Sequence, residues 1–220
     1  MVKLRWTIFL ILILCFLSIG TASAANWTVN PGSSIQSVIN NASCNDTVIV
    51  NDNNGSDYTY TENVVINKTI ALRAKAGGNV TLQALNSSKP VIMINSLGNG
   101  TVIQGFTIKG ASADSSNGIL LNMTSNCNIT GNNLTGNYNG IYLNGSNNNT
   151  IQNNTIITNS YAGVGLLSSN NNRIQNNTIT NNTWYGVYLG YSNGVIITGN
   201  IIANTVWNQS TVLISKHPLQ

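Results

Sequence analysis

Between residues 118 and 202 the apolar positions come in short alternating bursts, never in the longer stripes of a helix. Gly-Ile-Leu-Leu at 118–121, Gly-Ile-Tyr-Leu at 140–143, Gly-Val-Gly-Leu at 163–166 and Gly-Val-Tyr-Leu at 186–189 each open a unit. Each is followed by Ile-x-x-Asn-x-(Ile/Leu). The carriers are Ile129, Asn132 and Leu134, then Ile151, Asn154 and Ile156, then Ile174, Asn177 and Ile179, then Ile197, Asn200 and Ile202. The repeat glycines lie 22, 23 and 23 residues apart, and so do the asparagines. Alternation over two to four positions predicts short strands, because a helix needs ten or more residues of 3.6 periodicity. A fixed period of this size predicts a stacked array. With one side of every unit inward, Ile119, Ile141, Val164 and Val187 form one buried column, and Leu121, Leu143, Leu166 and Leu189 a second. The two isoleucine-rich positions around each repeat asparagine form a third and a fourth. Four aliphatics cannot offset the ordering of one coil, so each coil depends on its neighbours.

The repeated asparagines have their own physics. Parallel coils stack at about 4.8 Å, which brings Asn132, Asn154, Asn177 and Asn200 within hydrogen-bonding reach of one another. A polar column at a bend is then satisfied rather than costly, and asparagine tolerates the left-handed backbone of tight bends. Upstream, Pro31-Gly32-Ser33 followed by Ile35, Val38 and Ile39 predicts a short amphipathic helix, with capping-box spacing from Ser33 to Gln36. Such a helix would cover the open end of the array. Residues 47–50 and 64–66 read as strands separated by a polar loop at 51–62, and Ile70/Leu72 and Val80/Leu82 as further strands. An early repeat starts at 91–94. It continues through Ile103, Phe106 and Ile108, with phenylalanine in the asparagine position and a small insertion around 109–116.

The reading is therefore all-β: a parallel β-helix, a single-stranded solenoid with a short N-terminal capping helix. These units resemble the right-handed parallel β-helix repeats of pectin-lyase-like proteins, nearest to the NosD-like group of archaeal and bacterial surface proteins. The segments Ser34-Ile35-Gln36, Asp46 to Val50 and Tyr60 to Ile66 resemble that family's capping region. The resemblance covers about residues 30–205 and implies a right-handed β-helix. The expected organisation is a signal peptide at 1–24, a cap and first coil at 25–89, repeats at 90–205, and a tail or incomplete cap at 206–220. In that tail Val212, Leu213 and Ile214 are the one apolar run available to close the coil.

Residues 1–24 carry the pattern of a secretory signal: Lys3 and Arg5, an apolar run from 7 to 20, then Ala22-Ser23-Ala24. Without them, seven Lys and Arg face five Asp and Glu. With no basic stripe, nucleic acid is excluded as a partner, and the membrane is met only transiently, through the signal. The mature chain keeps Cys44 and Cys127, expected as unbridged residues. Charged residues are 6% of the chain, and 40 asparagines take their place. Seventeen Asn-x-Ser/Thr sequons run from Asn26 to Asn208. The ladder residues Asn154, Asn177 and Asn200 do not start sequons, whereas Asn153 and Asn176 do, as burial of the first set and exposure of the second would require.

The acids are Asp46, Asp52, Asp57, Glu62 and Asp114, and between 115 and 215 Arg173 is the one charged side chain. Glycoside hydrolysis needs two carboxylates flanking the bond, and a lyase needs a base and charge neutralisation. Neither set is present, so no catalytic residue, cofactor or metal site is assigned and the chain is expected not to be an enzyme. The NosD-like resemblance implies copper delivery; Met93, Met123 and Cys127 could converge, but core filling accounts for them better. Asp52, Asp57 and Glu62 could hold calcium only weakly. One surface feature remains. Tyr138, Tyr161 and Trp184 stand two before the repeat glycines, and Tyr142, Gly165 and Tyr188 two after. Alternation turns these positions outward. They predict an aromatic strip with a dip at Gly165, suited to neutral sugar rings. The expectation is an exported, non-enzymatic, adhesin-like surface protein, with cell-wall or partner glycans, or other surface proteins, as its partners. The rival is a purely structural envelope component.

Overall fold

The computed structural model describes residues 23–205 and the backbone of 212–215; the expected signal segment up to residue 22 lies outside the described residues. Every coil gives one strand to each of three parallel sheets. Sheet I holds the long strands Asn117–Asn122, Asn139–Asn144, Ala162–Leu167 and Tyr185–Gly190. Sheet II holds Asn128–Thr130, Thr150–Gln152, Arg173–Gln175 and Ile196–Thr198, and sheet III holds Asn133–Thr135, Thr155–Ile157, Thr178–Thr180 and Ile201–Ala203. With their N-terminal members these are sheets of seven, eight and seven strands, paired between successive coils. The register is that of the repeat: Ile119 sits on Ile141, Ile141 on Val164, and Val164 on Val187. The four predicted columns are buried, opening only at the last coil, where Ile197 and Ile202 are half-buried.

The corners explain why so polar a chain folds. The coil from 139 to 161 turns at Gly145, Asn148, Asn153 and Thr158, all in the left-handed region with φ between 53° and 58°. The residue after each, Ser146, Asn149, Asn154 or Asn159, points inward and is buried. The predicted ladder is one of these four. Asn132 Nδ2 donates to Asn154 Oδ1 at 3.1 Å, Asn154 to Asn177 at 3.0 Å, and Asn177 to Asn200 at 2.9 Å. The same oxygens also accept the backbone N–H of the residue below. Asn137, Asn159 and Asn182 form a second ladder, Asn149 and Asn172 a third, and Ser146, Ser169 and Ser192 a fourth. The left-handed backbone belongs to the residue before the ladder asparagine, not to the ladder asparagine itself. Thus Gly131, Asn153, Asn176 and Gly199 carry the positive φ. Phe106 ends the first ladder: its N–H donates to Asn132 Oδ1 while its ring joins the core.

The N-terminal end is closed by helix α1, Ile35–Asn41, which buries Ile35 and Ile39. Its cap is Ser34 rather than Ser33, with Ser34 Oγ accepting from Ser37 N–H at 3.1 Å. Gln36 does not complete a capping box. Glu62, 27 residues away, accepts from the N–H of Ile35 and Gln36 and from Ser34 Oγ, as a carboxylate at a helix N-terminus should. The polar loop predicted at 51–62 contains a strand, Tyr58–Thr61, because Tyr60 turns inward and joins the core. Asp46 is buried and accepts from Ala25 N–H, Trp27 Nε1–H and Ser43 N–H at 2.7–2.8 Å. These bonds hold its carboxyl below the usual carboxylate range. At the other end the predicted apolar run is a strand, Val212–Ser215, laid on sheet I with Val187 beside Val212.

Candidate functional site

The outer face of sheet I is shaped by the repeat glycines. A side chain on Gly140 would meet Ile156, the carbonyl oxygen of Gly163 at 2.7 Å and Asn159 Nδ2 at 3.1 Å. This position therefore faces inward as Ile141 does, so the in–out alternation breaks in a kink at the glycine, and Tyr138, two residues before it, lies on the outer face. Tyr138 and Tyr161 stack with ring centres 5.0 Å apart and planes 5° from parallel. The next ring in the series is Tyr185 rather than the expected Trp184: it packs edge-on to Tyr161 at 5.5 Å and beside Tyr188 at 5.8 Å. Tyr161 carbonyl oxygen accepts from both Trp184 and Tyr185 N–H, a local irregularity that hands the stacking place to Tyr185. Trp184 is 42% exposed.

On the other column the expected dip at Gly165 is covered, since any side chain there would strike the Tyr142 ring. Tyr188 is only 7% exposed, not the open outward ring expected; its hydroxyl lies over Gly190. Together these rings wall a cleft of about 360 Å³. Tyr138, Tyr142, Tyr161 and Tyr188 line it, joined by Tyr191, which sequence reasoning missed. Asn139, Ser115 and Leu167 complete the wall. Small residues make room: the row between Tyr142 and Tyr188 holds Ala162 and Gly165. Tyr185 and Tyr191 were visible in the sequence as aromatics flanking the fourth unit, but only the kink shows which ring turns to which neighbour.

Among the described residues, no acid, lysine, arginine or histidine lines the cleft. Burial, then the neighbouring phenols, push Tyr161 up to about 12, and burial also raises Tyr138 and Tyr142. Phenols shifted this way stay protonated at neutral pH. They offer ring faces and neutral hydroxyls. Because the folded pKa is raised, the neutral cluster stabilises the fold fully below about pH 10, and that contribution is lost as pH rises toward about 12. Absorbance titration of tyrosinate is expected to show a late step near pH 12 carried by Tyr60 and Tyr161, which Tyr161→Phe reduces and Tyr161→Phe with Tyr60→Phe removes; an unchanged late step in Tyr161→Phe would count against the cluster.

The remaining candidates are not brought together. Met123 is 67% exposed at a corner, whereas Cys127 is buried beside Thr124 and Gly98. Cys127 takes the asparagine place at the foot of the third ladder, its N–H donating to Asn149 Oδ1, and burial pushes its thiol up. Cys44 and Cys127 are both free thiols. Asp52 is buried against Lys75 at 3.4 Å, while Glu62 caps α1.

Comparison with known proteins follows this geometry. Residues 117–216 match the family described as a right handed beta helix region. The fold superposes on an alginate lyase from Paenibacillus with a TM-score of 0.70 and 16% identity, over 80% of this chain and 65% of that one. It superposes on the pectate lyase Pel9A with a TM-score of 0.61 and 14% identity, over 89% of this chain and 58% of that one. The chain folds as a right-handed parallel β-helix. At such identities the lyases share the β-helix and nothing more is carried over from them. A cell surface glycoprotein of Methanothermus fervidus is 31% identical over 134 residues, which is 59% of this chain. The β-helix spans about a fifth of that relative's length, 21%.

Proposed function

We propose that this β-helix is a non-enzymatic, adhesin-like component of a cell surface that binds neutral glycans in the tyrosine cleft. The observation that carries this reading is a cleft walled by five tyrosines with no ionised group among the described residues that line it. Ring faces stack on the apolar faces of sugars, and phenol and amide groups supply hydrogen bonds. A charged polysaccharide would find nothing there to neutralise it. The surface placement is supported by the similarity to a cell surface glycoprotein. The non-enzymatic reading is supported by where the acids stand: Asp46, Asp52 and Glu62 are engaged in the N-terminal coils, and Asp114, whose charge is felt by Tyr138 at the edge of the cleft, has none of these carboxylates as a partner there.

A glycan array probed with the parent, Tyr142→Ala, Tyr161→Ala and Trp184→Ala tests this reading. The expected result is binding of neutral glycans by the parent, a loss of roughly tenfold on removing either cleft ring, and near-parental binding by Trp184→Ala. Absence of any binding by the parent would sink the proposal. The rival, a purely structural envelope component, is favoured by the close parallel stack of Tyr138 on Tyr161. It predicts that Tyr161→Ala lowers stability while no glycan is bound at all.

A further inference from the structure

The seventeen sequons become unequal once the coils are stacked. Glycosylation of a sequon uses its asparagine amide and the hydroxyl two residues on, and the phase of the tripeptide against the coil decides which of its side chains turns inward. In the sequons that start at Asn148, Asn153, Asn176 and Asn181, the middle residue is the buried ladder asparagine: Asn149, Asn154, Asn177 and Asn182. The first asparagine of each is exposed at a left-handed corner, with φ of 58°, 54°, 55° and 56°. Their hydroxyl residues Thr150, Thr155, Thr178 and Thr183 are all outside the core.

In the sequons that start at Asn122 and Asn144 the phase slips by one, and the hydroxyl residue itself enters a ladder. Thr124 and Ser146 are buried. Thr124 Oγ1 donates to Asn99 Oδ1 at 3.0 Å, and Ser146 Oγ donates to the carbonyl oxygen of Asn144 at 3.1 Å. Asn144 Nδ2 is also spent on Asn122 Oδ1, at 3.2 Å. These two sequons lie on sheet I, where Asn144 is in register with Leu167 of the cleft wall.

We infer that Asn148, Asn153, Asn176 and Asn181 are N-glycan acceptors, and that sequon phase keeps Asn122 and Asn144, beside the tyrosine cleft, bare. The donor is an oligosaccharide activated as a lipid-linked phosphate, handled by the host's transferase. The asparagine Nδ2 attacks the anomeric carbon and forms the C–N bond. The anomeric C–O bond to phosphate breaks, the lipid phosphate leaves with the electron pair, and the amide gives up one proton to a base of the transferase. Once the coils have stacked, the Asn144 amide is held by Asn122 and the Ser146 hydroxyl is buried, so neither is open to the transferase. The glycans then stand at the corners and leave the outer face of sheet I open.

The inference rests on the surface placement proposed above, and the experiment separates the two. The full chain is isolated from the envelope fraction of the cells that naturally make it, proteolysed and mapped by mass spectrometry. Added glycan mass is expected on peptides containing Asn148, Asn153, Asn176 and Asn181, and none at Asn122 or Asn144. Thr155→Val and Thr178→Val keep the strands, since both positions face outward, and are expected to abolish the mass at Asn153 and Asn176 alone. Envelope protein unmodified at all four asparagines, or modified at Asn144, overturns the inference. A chain absent from the envelope fraction overturns the surface placement, and the inference falls with it.

Discussion

Replacing Asn154 by alanine is expected to lower stability by about 3–5 kcal/mol, among the largest effects a single polar substitution can have. Asn154 Oδ1 accepts from both Asn132 N–H and Asn132 Nδ2, and its own Nδ2 donates to Ile129 carbonyl oxygen and to Asn177 Oδ1. Alanine deletes all four bonds and strands a buried amide on one side and a buried carbonyl on the other. Neither can reach water, because the coils above and below are in contact. The adjacent Asn153 gives the control. It is exposed and left-handed, and the same corner is glycine in the coil before, Gly131, and two coils on, Gly199. Asn153→Gly is therefore expected to stay within about 0.5 kcal/mol of the parent. Urea midpoints for the two variants check this directly, and similar losses from both would refute the ladder as a source of stability. A repeat array unfolds by neighbouring units, so hydrogen exchange at Asn132 N–H, one coil away, should rise in Asn154→Ala and not in Asn153→Gly.

That pair of neighbours shows what the sequence could and could not disclose. Asn154 was legible because the same letter recurs with the same period, and a strand register can be counted from it. Two of the other three corners do the same work with mixed letters: Thr124, Ser146, Ser169 and Ser192 in one, Cys127, Asn149, Asn172 and Val195 in the other. The coil below needs only an acceptor oxygen for its N–H, so serine serves as well as asparagine, and the end coils tolerate a residue with none. A search for a repeated letter passes over such columns, although Asn137, Asn159 and Asn182 kept both letter and period.

The cap and the cleft failed to show for a different reason, since both depend on contacts between distant residues. Glu62 caps α1 from another coil, and nothing in the local pattern around Ser34 points to it. Tyr60 looked polar within a polar run, yet it seats its ring in the core and donates its hydroxyl to Asn51 carbonyl oxygen at 2.8 Å. On sheet I the alternation rule turned the tyrosines outward, and Tyr138, Tyr142 and Tyr161 line the cleft while Tyr188 is nearly buried in its wall. It could not say that Tyr142 leans over Gly165, which converts an expected gap between two rings into one wall of a cleft. Small residues at 162 and 165 are what permit a concave face on an otherwise flat sheet, so the departures from the repeat, not the repeat, make the candidate site.

Gly163→Ala is the second substitution expected to have a large effect, a loss of about 1–3 kcal/mol from overpacking. Gly163 has no need of left-handed backbone. Its constraint is space: an added methyl would collide with Ile179, approach the carbonyl oxygen of Gly186 to 2.7 Å and come within 2.9 Å of Asn182 Nδ2. The first can move, but the second is backbone of the next coil and the third is fixed in the second ladder, where Asn159 Nδ2 donates to Asn182 Oδ1 at 2.9 Å. Relief therefore requires the coils to part, and parting them breaks sheet I pairing directly beneath the cleft. Gly131 is the opposite case, with φ of 63° and no heavy atom within 4 Å of the missing side chain. There Gly131→Asn should be nearly neutral, because asparagine already occupies that corner at 153 and 176. Thermal unfolding of the two variants, with glycan binding measured alongside, distinguishes the constraints. Gly163→Ala should lose stability and cleft binding together, and Gly131→Asn neither; a stable, binding-competent Gly163→Ala would show that the kink at the repeat glycine does not shape the cleft.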